Sequence, residues 1–139
     1  MKAQTHDFRD GNGPVPAHRN PNGGGWVADT AHVDKSAYIG PDARVHGSAR
    51  VCGSARVSGD ARVYDDARVC DDAWIFGGAR VCGDARVYDN ARVHGDARVY
   101  DNALVCGDAR VCGDARVFGD ARVCGDAWVY DNARVCGNH

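Results

Sequence analysis

Residues 79–99 read ARVCGDARVYDNARVHGDARV. An aliphatic residue falls on every sixth position, at Val81, Val87, Val93 and Val99, and alanine follows four residues after each of the first three. In an extended chain, alternate side chains point to opposite sides, so each A-R-V-x tetrad puts Ala and Val on one face and Arg and x on the other. The pair that follows, Gly-Asp or Asp-Asn, is a turn former. Each six-residue unit is therefore one short strand and one corner.

The rule runs outward in both directions without insertion or deletion. Val or Ile fills all 19 sixth positions from 27 to 135, with Ile only at Ile39 and Ile75, and Ala fills the matching position from Ala31 to Ala133. Arg precedes the aliphatic residue in 13 of the 19 units; the departures include Trp26, Tyr38, Trp74, Leu104 and Trp128. With one Met, three Phe and three Trp among 139 residues, a conventional globular core cannot be filled. The core must be narrow, repetitive and built from Val and Ala, in a single domain.

Two folds could use this period. An antiparallel meander with two-residue hairpins would leave its Val/Ala face uncovered, because nothing else in the chain could pack on it. A solenoid closing on itself turns every Val inward, and this is the fold expected.

The units DARVHG, SARVCG, DARVYD, NARVHG and DARVCG resemble the hexapeptide repeat of left-handed parallel β-helix proteins, including uncharacterised hexapeptide-repeat proteins of bacteria and phages. The resemblance covers residues 26–139. It implies a triangular coil of three hexapeptides, 18 residues in all, and a left hand, where the general crossover rule favours the right. The expectation is all-β: a single left-handed parallel β-helix, a β-solenoid of about six coils. Coils stacked ~4.8 Å apart make a rod roughly 30 Å long. Residues 1–25, rich in Gly, Pro and Asn, read as a polar arm or N-terminal cap.

An 18-residue coil lays out three faces. The first carries His46, Tyr64, Cys82, Tyr100, Phe118 and Cys136 on an outer ladder, beside a row of Arg from Arg44 to Arg134. The second carries Cys52, Cys70, Tyr88, Cys106 and Cys124; the third carries Phe76, His94, Cys112 and Tyr130, with Trp74 and Trp128 in place of Arg. Cys52 and Cys70, and likewise Cys106 and Cys124, lie one coil apart, within the Cα separation a disulfide permits. Seven cysteines, an odd number, cannot form a complete disulfide framework. Trp74 with Phe76 and Trp128 with Tyr130 put paired aromatics on one face, a candidate assembly surface.

Chemistry is harder to find. Acyltransferases of the resembling family use a His at a subunit interface, together with a loop projecting from the coil and a C-terminal helix. The repeat here is unbroken from 27 to 135. His46 and His94 occupy ordinary outer-ladder positions and read as solvated. The related γ-class carbonic anhydrases hold zinc through three clustered histidines, a spacing that His32, His46 and His94 do not share. Cys136 with His139 is a lone pair, a weak metal signal. No catalytic, cofactor or metal site is assigned. With 17 basic and 19 acidic residues, net charge −2, nothing points to nucleic acid, and no apolar run is long enough for a membrane span. The Arg rows are expected to be laced with Asp from the corners in pairs worth little each. Thr occurs only at Thr5 and Thr30, which discounts a hydroxyl ladder for ice binding. The N-terminus lacks a signal-peptide apolar stretch, so cytoplasmic synthesis is expected, with the final site left open.

Solenoid ends template association when they are bare. Trp26 at one end, and Val135, Cys136 and His139 at the other, are the candidate end contacts. The functional expectation is a non-enzymatic structural protein whose partners are copies of itself, stacked end to end into a filament and in a further arrangement side by side. The alternatives are an acyltransferase-like trimer with an interface site, and a phage or bacterial binding module.

Overall fold

The computed structural model describes residues 5–8 and 13–137. Every regular element among them is a strand. β1 (Thr5–Asp7) and β2 (Pro14–Arg19) precede the solenoid proper, which opens with β3 (Trp26–Ala28), β4 (His32–Val33), β5 (Tyr38–Ile39) and β6 (Arg44–Val45). From there strands recur every six residues to Arg134–Gly137. They sort into three sheets, one for each side of a triangular rod.

All pairs from β3 onward are parallel and offset by 18 residues: Arg68 and Val69 lie between Arg50 and Val51 on one side and Arg86 and Val87 on the other. The register follows from the pattern, since a slip of one residue would turn every Val outward. Each coil donates to the next, as where the Arg68 N–H bonds the Ala85 carbonyl and the Cys70 N–H bonds the Val87 carbonyl, both at 2.9 Å. From Ala37 to Val117 each repeat Ala and each repeat Val or Ile is fully buried. The core is one continuous column, and each buried Val contributes on the order of 2 kcal/mol of transfer free energy.

The N-terminal segment is folded rather than a free arm. β2 pairs antiparallel with β3, setting His18 opposite Val27, and β1 pairs antiparallel with β2. Together they add two strands to the N-terminal edge of the first sheet. Residues 20–25 then cross to the third sheet, where the Gly25 N–H donates to the Ile39 carbonyl and the Ile39 N–H to the Asn22 carbonyl. A Cβ on Gly25 would sit 2.3 Å from the Gly40 carbonyl oxygen, so only glycine fits this approach. Phe8, fully buried, packs with Ala17 and Ala28 in a small second core. The segment is thus a cap over two of the three N-terminal strand edges.

Candidate interaction surfaces

Three polar grooves run along the corners of the rod. Each is lined by a row of Arg from one strand position and a row of Asp, Asn or Ser from the preceding corner. The largest, about 720 Å³, lies beside the third sheet between Trp74 and Trp128 and contains Asp72, Arg92, Asp108 and Arg110. Its charge is balanced, three Arg (Arg56, Arg92, Arg110) against three Asp (Asp72, Asp108, Asp126). The groove beside the first sheet sets four Arg against Asp96 and Asp114 only. The groove beside the second sets Arg50, Arg68 and Arg86 against Asp66 and Asp84, with Leu104 in the Arg row.

The expected Arg–Asp lacing does not form along the large groove. His18–Asp29 and His32–Asp34 pair within 4.0 Å near the N-terminal end, and no Arg–carboxylate pair joins the described residues of the large groove. The geometry explains this. Arg and the groove Asp project from positions two residues apart on the outside, and Arg56 and Arg92 lean on the Trp74 ring rather than on a carboxylate. At the first corner position, outside this groove, carboxylates bond backbone: Asp65 accepts from the Gly83 N–H, Asp89 from the Gly107 N–H and Asp101 from the Gly119 N–H, at 3.1–3.2 Å.

On the third face Trp74 stands between two guanidinium groups, Arg56 at 5.8 Å and Arg92 at 5.7 Å from its ring, in cation–π contact. Its neighbour Phe76 stacks on His94 at 4.6 Å. Trp128 and Tyr130 repeat this pair three coils later but are 61 % and 53 % exposed, the two most exposed large apolar side chains described. Burial with two nearby arginines holds His94 below its ordinary titration range.

On the first face an aromatic column runs from Phe8 through His46 to Tyr64, with ring centres 4.6 and 5.1 Å apart. His46 is therefore buried, not solvated as its ladder position implies: Phe8 of the cap lies on it. Nothing in the repeat reports this; the one signal is a lone Phe in a polar segment. Burial, with a hydrogen bond to Cys82 next, pushes the Tyr64 phenol up to about 12. Burial likewise raises the Cys82 thiol.

On the second face disulfides join Cys52 to Cys70 and Cys106 to Cys124, with Cα atoms 4.5 and 4.6 Å apart. Cys82 and Cys112 are free thiols. Among the described residues no group of three His, Cys, Asp or Glu could hold a metal ion.

At the ends, Trp26 is not the open contact its position implies. It lies under its own cap, with His6 stacked at 4.6 Å and Arg19 over the ring at 4.6 Å. The far end is different. Ala127 and Ala133 are exposed where the repeat alanines from Ala37 to Ala121 are buried, Val135 is half-buried and Cys136 exposed. The N–H groups of Cys124, Trp128 and Tyr130 have no backbone partner among the described residues. His139 lies outside the described residues.

The family model described as the YdcK beta solenoid repeat matches residues 55–71, 79–95, 97–113 and 109–125. The chain is accordingly a β-solenoid repeat protein. No curated protein and no solved structure matches it significantly.

Proposed function

We propose that this chain is a non-catalytic structural module that stacks end to end with copies of itself into a filament, with residues 1–25 governing growth at one end. The observation that carries the reading is the coil at residues 120–137, whose outer strand edges have no partner among the described residues. It combines three strand edges, the exposed Ala127 and Ala133, and the exposed aromatics Trp128 and Tyr130. Unpaired edges beside apolar surface template further strands, and the strand spacing, register and side-chain pattern that fit this edge are those of another coil of the same kind. Contact between unlike ends propagates rather than closes. At the receiving end the cap covers the first and third sheets, and among the described residues nothing pairs with the outer edge of β4. Growth therefore requires the cap to swing away, and its strands are then free to lie on the neighbour.

A catalytic role has little to draw on. His46 is buried beneath Phe8, and His32 is held by Asp34 at 3.2 Å on an exposed surface rather than in a pocket.

Electron microscopy of the full chain and of a variant lacking residues 1–25 tests the reading. Rods should lengthen with concentration, and the deletion should lower the concentration at which they do so. Particles of one length, about 30 Å, for both proteins at all concentrations would refute it.

A further inference from the structure

One loop, residues 20–25, fastens the cap to the third sheet. The Asn22 carbonyl accepts from the Ile39 N–H at 3.0 Å and from the Asn20 amide at 2.7 Å. The Asn22 amide donates to the Ala37 carbonyl at 3.2 Å, and the Gly25 N–H to the Ile39 carbonyl at 2.9 Å. Asn22 is also the one described asparagine that a glycine follows. An asparagine side chain is open to attack by the main-chain nitrogen of the next residue. Bulk at that residue's Cα hinders the attack, and so does a hydrogen bond already made by its N–H. Gly23 has no Cβ, and its N–H has no hydrogen-bond partner among the described residues. The other described asparagines are protected. Asn90, Asn102 and Asn132 precede alanines whose N–H groups donate to the carbonyls of Tyr88, Tyr100 and Tyr130 at 3.1–3.3 Å. Asn20 precedes Pro21, which has no N–H. Asn22 is exposed, so water reaches it. Nor can the fold exchange Gly23 for a slower neighbour: at φ +108° a Cβ there would lie 2.1 Å from the Ile39 carbonyl oxygen.

We infer that Asn22–Gly23 is a site of spontaneous deamidation, and that the change unfastens the cap from β5. The Gly23 nitrogen attacks the side-chain carbonyl carbon of Asn22. A carbon–nitrogen bond forms and closes a five-membered imide. The bond to Nδ2 breaks, and ammonia leaves with the proton that Gly23 gives up. Water then opens the imide. Opening at the side-chain carbonyl leaves aspartate at position 22; opening at the main-chain carbonyl leaves an isoaspartyl link. Both products lose the Nδ2 donor, so the Ala37 carbonyl keeps only the 3.4 Å bond from the Asn20 amide. In the aspartate product a carboxylate oxygen faces that carbonyl, and loss of the bond should raise opening of the loop about five-fold. In the isoaspartyl product the main chain gains a carbon between positions 22 and 25, and the old main-chain carbonyl becomes a carboxylate off the chain. The bonds to the Ile39 N–H and carbonyl then cannot both form at their present spacing, and with two bonds lost opening should rise roughly 30-fold.

This change depends on the fold of the cap and not on end-to-end stacking. The test is incubation of the full chain, disulfides intact, in mildly alkaline buffer, beside a synthetic peptide of residues 19–25. Peptide mapping reads amide-to-acid conversion at each asparagine, and methylation by an isoaspartyl methyltransferase marks the isoaspartyl product. Asn12 also precedes a glycine, lies outside the described residues and is read separately on the map. Asn22 should convert at least about five-fold faster than Asn90, Asn102 or Asn132, the cost of freeing a bonded N–H. Amide hydrogen exchange by nuclear magnetic resonance then reads the cap in fresh wild type, aged wild type and fresh Asn22→Asp. The Ile39 N–H should exchange about five-fold faster in Asn22→Asp than in fresh wild type, and faster still in the isoaspartyl fraction of the aged protein. The Cys70 N–H, in the middle of the rod, should exchange alike in all three. An Asn22 that stays intact while the peptide converts would overturn the inference. So would conversion no faster than at Asn90, Asn102 and Asn132, or an Ile39 N–H that exchanges alike in all three samples.

Discussion

Gly95 sits at a corner with φ +69°, in the left-handed region, and the next coil passes so close that a Cβ there would lie 2.8 Å from the Gly113 nitrogen. Gly95→Ala should therefore cost about 1–2 kcal/mol for the backbone conformation alone, with a further few tenths for the shift between coils. Asp occupies the same corner position at Asp65, Asp71, Asp89, Asp101 and, on Gly95's own column, Asp131, all at φ between 55° and 61°. Asp65 and Asp101 each return a bond to the next coil's N–H. Aspartate tolerates this conformation better than most residues, and its carboxylate bond is worth roughly 1 kcal/mol net at an exposed site. Gly95→Asp should thus lie within about 0.5 kcal/mol of wild type, leaving roughly 1–2 kcal/mol between the two variants. Urea unfolding followed by far-ultraviolet dichroism measures the difference, and in a thermal scan it should appear as several degrees. Gly78 provides the control. It lacks a positive φ, and the close neighbour its Cβ would meet is only the tip of Asp96, so Gly78→Ala should be nearly neutral. An Asp variant as unstable as the Ala variant, or a harmless Gly95→Ala, would refute the account of the corners.

Each disulfide closes an 18-residue separation and should contribute up to ~3 kcal/mol through the unfolded chain. Unfolding midpoints should fall on reduction, and non-reducing peptide maps should show Cys52–Cys70 and Cys106–Cys124. Tyr64 keeps its proton in the folded state to about pH 12, while in the unfolded chain it ionises near 10. The folded state therefore holds its full Tyr64 contribution below pH 10 and loses it as pH rises through 12. In Tyr64→Phe that alkaline loss should shrink, and the latest step in the tyrosinate absorbance titration should disappear.

The solenoid is legible in the sequence because one period governs both its covalent and its spatial neighbours. A Val every sixth residue leaves no choice of face, and the parallel offset of 18 follows once three strands close a coil. The cap is not legible, because its strands do not arise from propensity. Asp7, Pro14 and Pro16 are poor strand formers. They are extended because β3 offers a ready edge, and strand formation there is set by the partner. The burial of His46 is hidden for the same reason, since it depends on a side chain 38 positions earlier and outside the repeat. The corner Asp column suggests ion pairs on sequence alone, and the structure assigns it another task. Its pattern of Asp alternating with Gly at 65, 83, 101 and 119 reflects the left-handed conformation that both residues accept and the N–H that only Asp can bind.

A strict repeat makes every corner alike in shape, so shape cannot select where a partner binds. Selection falls to the departures. Gly78 and Asn132 in one groove, and Ser48 and Asn102 in another, stand in the acidic row and leave Arg in excess, while Trp74 and Trp128 replace Arg in the third and leave its charges even. The cap works in the same way at the end of the rod. By pairing β2 with β3 and β1 with β2 it replaces an edge that any parallel coil would fit with β1, an edge of three residues, Thr5, His6 and Asp7, that runs in the same sense as β3 but carries no Val in register. That substitution makes the two ends unequal. On the proposed end-to-end reading every junction would join the coil at 120–137 of one copy to the capped edge of the next, so assembly would be held back while Phe8 stays buried.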